Sequence, residues 1–119
     1  MSSLDQSLQD ILNKLKSLDG KKLRTFRGEE FRVSIRGCEL FVVIQSTGKS
    51  RHIDIKREIV PTYRYLHGGN VIEGIGSGKA SIRELGFSEA NPAYVWGILS
   101  NFNDVQTENN KLYIKNTLI

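Results

Sequence analysis

What this chain of 119 residues has little of narrows its possibilities first. It carries one cysteine, Cys38, so no disulfide can form within the chain and no cysteine zinc cluster can assemble. The ordinary role for such a residue, lying between expected strands, is that of a small, partly buried apolar side chain. No apolar run approaches the roughly 18 to 20 residues that span a bilayer. The N-terminus also lacks the basic-then-apolar order of a signal peptide. A cytoplasmic location without membrane association is therefore the default expectation. Neither an internal repeat nor a low-complexity tract is visible. At 39% apolar and 25% charged residues, the composition is that of a folded domain and not of a disordered chain. The length suits one domain, 1–119, whose core needs no metal or disulfide staple.

The charge is uneven. Residues 1–20 hold two Lys and Arg against three Asp and Glu, residues 21–64 eleven against five, and residues 65–119 four against five. The net excess thus sits in the middle of the chain. A local field of that sign favours polyanions or an acidic partner. The competing reading is a basic, solvated sheet face with no ligand.

The periodicity divides the chain at about 20 and 54. Leu4, Leu8, Ile11, Leu15 and Leu18, widened by Leu12, form the stripe of an amphipathic helix over 3–18. Ser3 with Gln6 fits a capping box, and Asp19-Gly20 ends the segment. Two heptads are too few to stand alone. The stripe must pack on its own domain, which is the preferred reading, or on a second copy as a homodimer, or on a partner. Residues 21–54 then alternate. Phe31, Val33 and Ile35 interleave with Arg32, Ser34 and Arg36 as in a strand with one wet face. Leu40 to Ile44 is a continuous apolar run that suggests a central strand covered on both faces. With strands at 23–26 and 51–53, this makes an antiparallel meander of three or four strands.

Beyond 54 the pattern turns helical. Ile55, Ile59, Tyr63 and Leu66 share one side of a helix over 55–67, with Asp54 a candidate N-cap and Pro61 predicting a kink or a later start. Gly68-Gly69 ends that helix, and Gly74, Gly76 and Gly78 read as a flexible connection. A short helix is expected at 79–85. Asn91-Pro92 is a helix start, followed by the stripe Val95, Ile98, Leu99 and Phe102 to about residue 103. Strands at 105–107 and 112–114 flank Asn109-Asn110, a turn signal.

The segment "KASIRELGFSEANPAYVWGILSNFNDVQTENNKLYIK", with the helix before it, resembles winged-helix (helix-turn-helix) domains in its order of helix, short helix, turn, helix and hairpin. The resemblance covers about half the chain and rests on order alone. It implies a DNA-binding regulatory domain whose second helix of the pair enters the major groove. This chain departs from that pattern. Helix 92–103 has no Lys or Arg, and its expected outer face offers Tyr94, Gly97, Ser100 and Asn101. Nothing there supplies the phosphate attraction that dominates nucleic-acid affinity.

The other motifs carry less. "GIGSGKAS" fails as a phosphate loop, because Glu73 stands where the first glycine is needed and Ala80 replaces the hydroxyl that would hold magnesium. His52 and His67 have no companions at metal-ligand spacing, although Asp54 could orient His52. No reaction, cofactor, metal or small-molecule substrate is suggested. The fold class expected is α+β: an N-terminal helix (1–20), a basic antiparallel meander (21–54) and a winged-helix-like half (55–119). The expected function is a regulatory or accessory domain binding nucleic acid, DNA foremost. Its expected contacts are Arg24, Arg27, Arg32, Arg36, Lys49, Arg51, Lys56, Arg57, Lys79 and Lys111. Arg32 and Arg36 share a strand face about 13 Å apart. The alternative is a protein-interaction module using Leu8 and Ile11, or Tyr94 and Trp96.

Overall fold

Alternation of apolar and polar residues builds the first sheet. The computed structural model describes residues 3–74 and 81–115, with side chains in the first helix described from Leu8 onward. That helix, α1 (Ser3–Ser17), leads into four antiparallel strands, β1 (Lys22–Arg24), β2 (Glu30–Arg36), β3 (Glu39–Ile44) and β4 (Ser50–Ile53), paired in the order β1-β2-β3-β4. The expected meander is therefore present with four strands, and the chain is α+β. Its two inner strands pair in register from Phe31–Ile44 through Arg36–Glu39. Leu23, Phe31, Val33, Leu40, Val42 and Ile53 point inward and are buried. The Leu40–Ile44 run is not covered on both sides: Phe41 and Val43 are only half-buried, on the opposite face.

α1 spends its stripe on its own chain. Ile11, Leu15 and Leu18 belong to the common core, with Leu8 and Leu12 packed at its margin. The cap expected from Ser3 and Gln6 lies outside the described side chains.

After β4 the chain makes a π-helical turn, Ile55–Ile59, and continues as α2 (Val60–His67). Asp54 caps the turn by accepting from the Arg57 amide at 3.1 Å. Pro61 falls in the first turn of α2, where its missing N–H costs nothing. A continuous α-helix would drive the proline ring into the carbonyl of Arg57, and the wider turn relieves that clash. Ile55, Ile59, Tyr63 and Leu66 are all buried, as their spacing predicts.

A second sheet follows. β5 (Ile72–Glu73), unforeseen between the glycines, lies beside β7 (Lys111–Ile114), which also pairs with β6 (Val105–Glu108); the order is β5-β7-β6. Asn109 and Asn110 both take positive φ, at 52° and 61°, which makes the tight hairpin turn their sequence predicts. Residues 81–86 form one hydrogen-bonded turn closed at Gly86, not the expected helix over 79–85, whose first two residues lie outside the described ones.

Packed against β1 and the π-helical turn lies α3 (Pro92–Leu99). It stops four residues before the predicted end. The Ser100 hydroxyl and the Asn101 amide both donate to the Gly97 carbonyl, at 2.7 and 2.8 Å, and compete with the helical ladder. Every residue from Tyr94 to Leu99 is buried. A Cβ on Gly97 would lie 2.6 Å from the Arg24 carbonyl oxygen and 2.9 Å from the Phe31 ring. The helix is thus pressed against the inner face of the first sheet, and only glycine lets it sit that close.

Candidate nucleic-acid interface

Antiparallel register decides which basic residues share a face. Directly opposed residues point the same way, so the pairs Lys22–Arg32, Arg32–Val43, Ser34–Phe41, Phe41–His52, Arg36–Glu39 and Arg24–Glu30 define the outer face of the four-stranded sheet. Lys22, Arg24, Arg32, Arg36 and His52 are exposed there, and Ser34, Phe41 and Val43 half-buried. The acids of this face are Glu30 and Glu39.

Each cation is held without being used up. Arg24 donates to Glu30 at 2.9 Å while 68% of its side chain stays exposed, and Lys22 stands 3.9 Å from the same carboxylate. Such surface pairs contribute little to stability. Arg32 spends one donor on the Gly20 carbonyl at 2.6 Å, which leaves the rest of its fork for solvent. The Arg36 guanidinium lies over the Phe41 ring, 5.2 Å from its centroid. His52 is 5.2 Å from that ring on the other strand, and its Nε2 lies 2.6 Å from Glu39. The carboxylate that positions His52 is therefore Glu39 across the sheet and not Asp54, which is engaged in capping.

The remaining candidates are dispersed. Arg51 opposes Val42 and so belongs to the inner side of its strand. It donates to the Ala90 carbonyl at 3.2 Å and lies over the Tyr94 ring. Arg27 sits in the β1–β2 turn over Phe26, Lys49 in the β3–β4 turn, and Lys56 and Arg57 on the π-helical turn, all exposed. Lys111 pairs in register with Glu73 and Glu108, so its strand neighbours carry the opposite charge. Lys79 lies outside the described residues. Lys22 and Phe41 escaped the sequence reading. The first could have been found by extending the β1 alternation, whereas the exposure of the second needed the sheet.

The partner-binding alternative meets a steric obstacle. Ile11 is 1% exposed, Tyr94 8% and Trp96 6%, so three of its four residues are core. Tyr94 packs edge-on against Phe31, and Trp96 against Phe26. Ring area of that size is buried on folding and is not available to a second protein.

Two polar clusters lie away from the outer face. Glu58 accepts from the Ser88 hydroxyl (2.6 Å), the Asn91 amide (3.1 Å) and the Asp54 backbone (2.7 Å), and Asn91 also donates to the His52 carbonyl. Asn91 is thereby drawn away from its expected role as side-chain cap of α3. This cluster ties the end of the meander to the loop before α3. The second joins Tyr63, whose hydroxyl donates to Asp104, with His67 at 3.1 Å from the same oxygen. Burial, then the Asp104 carboxylate, push the Tyr63 hydroxyl above its ordinary range. Burial would raise Asp104, but hydrogen bonds from Tyr63 and His67 and the charge of Lys14 outweigh it and hold the carboxyl below its usual range. Both clusters fasten elements together.

A cleft of about 370 Å³ opens beside β1 and the start of α3, with Arg27 and Arg83 facing Glu29, Glu73 and Glu84 around Trp96. Two cations and three carboxylates line it, so it offers no net positive field for a polyanion. Among the described residues, no group of three or more His, Cys, Asp or Glu could hold a metal ion, and no helix is long and apolar enough to cross a membrane. Comparison with models of known families, with curated proteins and with solved structures finds no match to this chain.

Proposed function

We propose that this chain is an accessory or regulatory domain that binds nucleic acid by holding its phosphates on the outer face of the four-stranded sheet. One observation carries the reading: Lys22, Arg24, Arg32 and Arg36 stand exposed on a single face, in the part of the chain that holds its net positive charge. Arginines on a firm sheet make good bidentate phosphate contacts. The reading goes with a cytoplasmic site of action.

We further propose that residues 55–114 are a winged-helix-like unit. Support comes from their order of helix, strand, turn, helix and hairpin, and from the position of β7 between β5 and β6. In this reading α3 has the place of a groove-reading helix. Its burial, and its lack of Lys and Arg, leave it the role of a scaffold for the basic sheet.

The test is fluorescence anisotropy with labelled generic duplex and single strands, titrated at low and at moderate salt. Binding is expected to weaken steeply, with a log–log salt slope near −3 for about four neutralised phosphates. Reversing Arg32→Glu and Arg36→Glu together is expected to abolish it. No binding at low salt, or binding indifferent to that double change, would overturn the assignment.

A further inference from the structure

We infer that the ligand of this face is a single strand, its bases stacking at Phe41 beside His52 while its phosphates lie along Arg32 and Arg36. The inference rests on the phosphate-binding reading above and adds the form of the nucleic acid.

One ring on this face is out of place. A sheet with one buried face normally presents polar residues on the other. Here Phe41 occupies the middle of the wet face, on an inner strand, and is only half-buried. Its row across the sheet is Ser34, Phe41, His52: a hydroxyl, an aromatic ring and an imidazole. The rows on either side carry Arg32 and Arg36. Ser34, opposite the ring on β2, thus stands between two phosphate-seeking side chains, while the ring's own neighbours on this face of β3 are Val43 and Glu39, the latter engaged with His52.

That arrangement suits an unpaired strand better than a duplex. Four strands spaced about 4.8 Å apart make a broad sheet face, which cannot enter a major groove as a helix or a two-stranded ribbon does. In a duplex the base faces are already stacked on one another, so Phe41 would meet only backbone. In a single strand they are free, and exposed aromatic rings beside cationic grooves capture them with little dependence on sequence. Arg36 already lies over the ring at 5.2 Å, so its guanidinium can stack on an incoming base or swing aside to a phosphate. Ser34, and the His52 ring nitrogen that Glu39 does not engage, can then contact the edge or the sugar of the stacked nucleotide.

The experiment uses the whole chain and labelled strands of about 12 nucleotides, long enough for one such site. The probes are a DNA strand, an RNA strand of the same sequence, the matching DNA duplex, and the DNA strand with its central bases removed. The DNA or RNA strand is expected to bind at least about tenfold tighter than the duplex at equal salt. Phe41→Leu keeps an apolar side chain on the sheet but removes the ring. It is expected to weaken strand binding by about fivefold or more, to leave duplex binding unchanged, and to make the intact and abasic strands bind alike. Phe41→Ala should do the same, and circular dichroism of both variants checks that they fold. Whichever intact strand binds more tightly identifies the sugar preferred. Equal binding of strand and duplex, or strand binding indifferent to Phe41→Leu, would overturn the inference while the phosphate-binding reading stands. Absence of any binding at low salt would instead remove that reading, and the inference with it.

Discussion

The four-stranded sheet and α3 meet along one interface and have opposite surface chemistries. Outside that interface the sheet shows Lys22, Arg24, Arg32 and Arg36 to solvent, whereas α3 hides everything from Tyr94 to Leu99. The element order of the C-terminal half draws attention to α3, and the charge draws it to the sheet. Burial separates them: a helix whose residues from Tyr94 to Leu99 are all in the core cannot reach a groove, however its neighbours are ordered. The comparison teaches that position in a motif is not access. A unit with the element order of a winged helix can bury its second helix in the core, and on the proposed reading contact with nucleic acid passes to the basic sheet.

The sharpest way to break this comparison is Gly97→Ala. Helix propensity favours alanine by about 1 kcal/mol, but the new methyl would lie 2.6 Å from the backbone oxygen of Arg24, which cannot yield as a flexible side chain can. A net loss of about 3 kcal/mol is expected, read from the urea midpoint at unchanged slope. A neutral result would mean that α3 is not held against β1 and β2. Glu58→Ala should follow, at about 2 kcal/mol, because Ser88, Asn91 and the Asp54 amide lose their acceptor together. Glu58→Gln, which keeps one acceptor oxygen, should lose less, and neither change should alter affinity for a polyanion. The double reversal of Arg32 and Arg36 should do the converse. Binding disappears while stability stays within about 1 kcal/mol, as for other exposed charges.

A smaller effect concerns the acid limit. Asp104 is held below its ordinary range in the folded state, so its ionised form stabilises the fold above the unfolded value of 3.8. That stabilisation is lost as pH falls through the folded value. Asp104→Asn should flatten the decline of melting temperature below about pH 4, where the unfolded carboxyl titrates. A variant with the native acid limb would remove Asp104 as its source. The smallest change is Asn110→Gly in the hairpin, expected within about 0.5 kcal/mol in thermal melts because both residues tolerate positive φ. A loss beyond 1 kcal/mol would mean that the Asn110 side chain has a further role.

Much of the fold was legible because the relevant signals are local. The 3–18 stripe, the Phe31–Ile35 alternation and the Asn109-Asn110 turn each follow from a period or a backbone preference contained in a few residues. The candidate face was half legible. Arg32 and Arg36 are two apart in the alternation and must share a side, but Arg51 was grouped with them although its register with Val42 sends it inward. Phe41 was hidden by its apolar neighbours, since a run such as Leu40 to Ile44 reads the same whether one face is covered or two. Tyr94 falls outside the stripe of Val95, Ile98, Leu99 and Phe102 and so reads as an outer-face residue, yet its ring packs on Phe31 and Arg51 lies over it.

By itself, the sequence determined the class of the fold, the amphipathic elements, the hairpin turn and the concentration of positive charge between residues 21 and 64. These depend on side-chain period, turn chemistry and composition, which are properties of short stretches of chain. Only the tertiary structure decided which strand faces water, that β5 joins the second sheet, and that α3 is buried. Those outcomes depend on which surfaces meet across long separations in the chain, such as Gly97 against Arg24, and no local pattern carries that information.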